Sequence, residues 1–163
     1  MVPASLPDAH HASPDAETLA WLRLLLTPGL GRATARRLLA RAGGAEAIWQ
    51  LPLQAWAECA TQPQIKALSE LPADWDKHCN VLRQWLASPA PGTLHTVIQL
   101  GSSQYPDCLL HTEDPPLLLF IQGPVSLLSS ARPWFPNPAA LALVGSGNPS
   151  PPGVIDALNM GQA

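Results

Sequence analysis

Two stretches of this chain hold residue types whose spacing suits a phosphate. The first is Gly29-Leu30-Gly31, followed by Ala35 and then by Leu38-Leu39. This is the helix-hairpin-helix pattern: glycine, apolar residue, glycine, a small residue four positions on, then an apolar pair. The glycines let a turn take positive φ and let backbone come close to a ligand. N–H groups at the start of the second helix favour an anion. Arg32, Arg36 and Arg37 stand where they can add charge. Gly29, Gly31, Arg32, Arg36 and Arg37 therefore form one candidate contact for a DNA backbone. The same residues also suit a plain αα-hairpin, in which the glycines serve only the turn.

The second stretch is Gly145-Ser146-Gly147-Asn148-Pro149-Ser150, with Gly153 beyond it. It follows the apolar run Leu141 to Val144 and precedes a helical start. An α/β domain surrounds a phosphate with backbone N–H groups in this way. Gly145, Ser146, Gly147, Asn148, Ser150 and Gly153 are the candidate phosphate residues. The string is neither a GxGxxG nor a Walker sequence, and a Gly/Pro-rich surface loop reads the same. Only Asp156 stands near it as an acid, so no catalytic residue is expected. Cys59, Cys79 and Cys108 lie far apart, without metal-ligand spacing. No metal and no cofactor are expected, and an odd cysteine count suits a reducing cytoplasm.

The elements that must position these residues change character along the chain. Ser13 can cap a helix with Pro14 at its first position. Leu19, Leu22, Leu25 and Leu26 recur at helical spacing, and Thr27 to Gly31 turns the chain. A second helix puts Ala35, Leu38 and Leu39 on one face and Arg32, Arg36 and Arg37 towards solvent, until Gly43-Gly44 stops it. Short helices are expected over 45–50, 52–59, 64–71 and 73–87. Ser88 to Gly92 is the linker candidate. After it, Leu94 to Leu100, Leu117 to Ile121 and Leu141 to Val144 read as short strands. The 19 prolines keep all these elements short.

Composition narrows the function classes. Charged residues are 13% of the chain and net charge is −3, which argues against generic nucleic-acid binding. Yet Arg23, Arg32, Arg36, Arg37 and Arg41 fall in a span with no acid. The start has neither a basic nor an apolar region of a signal peptide. The run Leu19 to Leu26 contains Arg23 and is too short to span a bilayer. A cytoplasmic protein is expected.

Tyr105-Pro106, Leu109, Asp114-Pro115-Pro116, Leu119-Phe120 and Gly123 resemble the signature of the DNA-processing protein A family (DprA, also called Smf). The phrase ALVGSGNPSPPG is similar to that family's strand-turn, and PGLGRATARRLLARAGGAEAIW to its leading helical domain. The resemblance implies an α+β fragment. An all-helical SAM-like, helix-hairpin-helix domain would occupy 15–88. The truncated start of a Rossmann-like α/β domain would fill 89–163, and 1–14 would be a disordered tail. It implies a non-enzymatic protein that binds single-stranded DNA during natural transformation and assists loading of a RecA-type recombinase. Family members are homodimers through the Rossmann-like core, an interface expected to be missing here. The chain is accordingly expected to be a weakened or inactive fragment. Alternatives are a fragment of a nucleotide-binding Rossmann-type enzyme and a helical protein-interaction module.

One departure bears directly on the turn. The family pattern has arginine where this chain has Gly147. A charged hydrogen bond to phosphate contributes roughly 1.5–3 kcal/mol. Gly147→Arg should strengthen single-strand binding by roughly that amount in a chain extended with a complete family domain. It should do little in the present chain, where fewer strands hold the turn. Titration of a labelled oligonucleotide against both pairs checks this, and an equal gain in the two settings would contradict it.

Overall fold

The computed structural model describes residues 14–128. The strand Leu141 to Val144, the turn from Gly145 to Gly153 and all of the expected tail but Pro14 lie outside the described residues. Six helices come first: α1 (Ala16–Leu26), α2 (Arg32–Ala42), α3 (Ala45–Ile48), α4 (Leu53–Cys59), α5 (Gln62–Ser69) and α6 (Trp75–Ala87). Strand β1 (Thr93–Gln99), helix α7 (Asp107–Leu110), strand β2 (Leu118–Pro124) and helix α8 (Val125–Leu128) follow. The order of helices before strands is the one expected from the sequence.

Helix α1 starts later than the Ser13-Pro14 reading placed it. Asp15 is the N-cap, and its carboxylate accepts the Thr18 N–H at 2.7 Å. A carboxylate there satisfies an orphan donor and faces the positive end of the helix dipole. The buried face also differs. Ala20, Trp21, Leu22 and Leu24 are buried, whereas Leu25 is 41% exposed. Trp21 widens the apolar stripe and rotates it away from Leu25. Helix α2 keeps its expected face, with Ala35 and Leu38 buried, and ends at Gly43 in the left-handed region, φ 82°. Gly43 closes the end by donating its N–H to the Leu39 carbonyl.

One main core unites the helices. Leu24, Leu38, Ile48 and Leu68 are fully buried, one each from α1, α2, α3 and α5. Leu117 and Leu118 enter the same core from the strand side. A second cluster gathers Leu22, Cys79 and Leu82, with Val97 of β1 packed against it. The two strands pair antiparallel, Thr93 opposite Pro124 and Gln99 opposite Leu118. With that register, His95, Val97 and Gln99 share the face turned to the helices. His95 stacks on Trp85 of α6, and Gln99 donates to the Thr18 hydroxyl.

The junction of α1 with α3 hangs on one carboxylate. Gly44, the N-cap of α3, has no side chain to cap the helix. Glu17 supplies the missing acceptor from α1. Its Oε1 accepts from Ala45 N at 2.8 Å and from the Trp21 indole at 2.9 Å, and its Oε2 accepts from Glu46 N at 2.9 Å. A Cβ at position 44 would meet Glu17 Oε1 at 3.5 Å, so the carboxylate lies against the glycine backbone. Glu17→Ala should orphan three donors at once. A destabilisation on the order of 1–3 kcal/mol is expected, read as a shift of the urea midpoint. An unshifted midpoint would show that water replaces the carboxylate at no cost.

Candidate nucleic-acid interface

The glycine turn between α1 and α2 is built as its sequence requires. Gly29 takes φ +71°, a conformation that L side chains rarely adopt. Leu30 N donates to the Thr27 carbonyl at 3.2 Å, which closes the turn. Gly31 is the extended N-cap of α2, with no side-chain cap bond. Gln64, at the start of α5, braces the turn. Its amide donates to the Gly29 carbonyl at 3.0 Å while its oxygen accepts from Thr61 N at 3.0 Å.

The arginines of the basic span have separate partners. Arg32 and Arg36 stand four apart on α2 and therefore share a face. They converge on Asp114, with Arg32 Nη2 2.6 Å from Oδ2 and Arg36 Nη1 2.7 Å from Oδ1. Arg37 turns away and donates to the Cys59 carbonyl at 2.8 and 3.2 Å. Arg41 pairs with Glu58 at 3.4 Å. Arg23 lies 4.4 Å from the Trp49 ring centre and donates to the carbonyls of Leu68 and Glu70. Arg32 and Arg36 are thus the two candidate arginines brought together, and Asp114 is the residue that gathers them. Sequence reasoning quoted Asp114 only as part of a signature. The signal available was the acidic pair Glu113-Asp114 before Pro-Pro, with nothing to tell which acid would meet which arginine.

The loop that carries Asp114 is anchored beside it. Tyr105 is buried and its hydroxyl donates to the Pro116 carbonyl at 2.8 Å. Burial pushes the Tyr105 phenol above its ordinary range, so it remains a neutral donor at physiological pH. The hydrogen bond from Arg36, and then the charge of Arg32, hold the Asp114 carboxyl below the usual carboxylate range. Asp114 is therefore ionised wherever the protein is folded near neutrality.

The fold and this turn define a class: a small helical domain organised around a helix-hairpin-helix. Residues 15–75 match the DprA-like N-terminal HHH domain. No curated protein and no solved structure matches the chain. Among the described residues, no group of histidine, cysteine and acidic side chains has metal-site geometry, and no helix is long and apolar enough to cross a membrane. The two-stranded antiparallel sheet beyond the helices is too small to define a Rossmann-like domain.

The lowered pKa of Asp114 sets the sign of its pH dependence. A carboxylate held down in the fold contributes fully above its unfolded value, about 3.9. The contribution is lost as pH falls through the folded value. The Asp114 loop should accordingly stay docked at neutral pH and loosen only below about pH 4. The ring resonances of Tyr105, the chain's one tyrosine, report this by NMR. Arg32→Gln with Arg36→Gln should reproduce the acid spectrum at pH 7. A Tyr105 signal indifferent to both would contradict the coupling.

Proposed function

We propose that this chain is a DNA-processing protein of the DprA type. It binds single-stranded DNA in the cytoplasm and passes it to a RecA-type recombinase, without catalysing a reaction. The observation that carries this reading is the family match over residues 15–75, which includes the glycine turn and the basic helix. In this reading the DNA backbone meets α2 at Gly31, Arg32 and Arg36, with Gly29 shaping the turn. Arg37 contributes charge from beside that contact. The strand-turn Gly145, Ser146, Gly147, Asn148, Ser150 and Gly153 forms a second phosphate contact, weakened by the lack of an arginine at 147.

Binding of this kind is electrostatic and releases counterions. For a single strand, log affinity falls with log salt by about 0.7 per neutralised phosphate. The 163-residue chain should therefore bind labelled oligo(dT) weakly at low salt and release it as salt rises. Fluorescence anisotropy across a salt series measures this. A tight complex unmoved by salt would contradict an electrostatic site. No binding at low salt would contradict the function itself.

A further inference from the structure

The contact between Asp114 and α2 has the form of an occupied anion site. Each carboxylate oxygen takes one arginine, at 2.6 Å from Arg32 and 2.7 Å from Arg36. A phosphodiester presents its two non-bridging oxygens in a comparable fork, and both distances suit charge-assisted hydrogen bonds. We propose that Asp114 is an internal competitor for nucleic-acid phosphate: its carboxylate fills a two-arginine site on α2, and single-stranded DNA binds there by displacing it. This inference rests on the single-strand reading above and names the contact that must open.

The surroundings favour exchange over a permanent lock. The side chains of Arg32, Arg36 and Asp114 are 48%, 29% and 44% exposed. Ion pairs that open to water are weak, because solvent screens the attraction and ordering long side chains costs entropy. The remaining arginines differ in kind. Arg23 and Arg37 donate to backbone carbonyls at the ends of α5 and α4, and those carbonyls would lose partners if the side chains swung out. Arg32 and Arg36 can leave Asp114 without orphaning a backbone group, apart from a long 3.4 Å contact of Arg36 to the Pro115 carbonyl. The loop itself would stay tethered through Tyr105 and Pro116. Displacement then frees Asp114 and loosens the loop between those tethers, while Leu117 keeps the core closed.

The test uses the full chain and labelled oligo(dT) in low salt. Asp114→Asn frees both arginines, while Asp76→Asn on the exposed side of α6 makes the same charge change elsewhere. Asp114→Asn should bind several-fold tighter than Asp76→Asn. Adding Arg32→Gln and Arg36→Gln to Asp114→Asn should erase the gain. Equal binding by the two asparagine variants, or a gain that survives loss of both arginines, would overturn the proposal. In the unmutated protein, saturating oligo(dT) should speed hydrogen exchange over residues 102–117. Unchanged exchange there would also overturn it, whatever the variants' folding. If neither the unmutated chain nor any variant binds the oligonucleotide, the single-strand reading itself falls. If the unmutated chain and Asp114→Asn bind equally, only the competition does.

Discussion

The helices of this protein are so short that their ends govern its structure. They run from 4 to 13 residues, and each end of an α-helix leaves four backbone groups without an internal partner. In a four-residue helix such as α3, nearly every peptide group is terminal. The helical unit is stable only if side chains from elsewhere meet those groups. Many of its polar side chains do so. Glu17 accepts from the start of α3, and the Trp56 indole donates to its last carbonyl, Ile48. Arg37 closes the end of α4, Arg23 and Trp49 that of α5, and the His95 ring lies 2.5 Å from the Trp85 carbonyl in the last turn of α6.

This constraint decides how the basic residues are used. A cation at a helix C-terminus gains a hydrogen bond and a favourable dipole together, so Arg23 and Arg37 are held in the fold. Arg41 is tied to Glu58 at the surface. Arg32 and Arg36 differ because they stand near the start of α2, where no orphan carbonyl calls for a cation. They reach towards solvent, and in the folded chain Asp114 pairs with both. These two arginines therefore share one carboxylate instead of closing a helix end.

The strand pair is bound to the helices by the same core that closes them. Leu117 and Leu118 lie with Leu24, Leu38 and Leu68, and Val97 seals the smaller cluster. Burial of each such side chain contributes roughly 1.5–3 kcal/mol, a substantial share for a unit this small. The loop carrying Asp114 leads straight into Leu117. The ion pair on α2 and the apolar contact beneath it thus fix the same stretch of chain from two sides.

Much of the local structure was legible in the residues. Glycine at 29 and 43 marks the positive-φ turn and the helix stop, because few other residues take those angles without strain. The apolar spacing of Ala35 and Leu38 set the inner face of α2, and the change of period after Pro91 marked the strands. In α1 the cap is Asp15 where the residues suggest Ser13, and the buried leucine is Leu24 where they suggest Leu25, because neighbouring caps and a wide tryptophan shift a boundary or a face without altering the period. What the sequence could not contain was the partner of each arginine. Arg37 meets a carbonyl 22 residues away, Arg23 carbonyls 45 and 47 away, and Arg36 a carboxylate 78 away. A side chain's charge and reach belong to its type. Which helix end or acid lies within that reach is decided only when the core closes and brings distant backbone alongside.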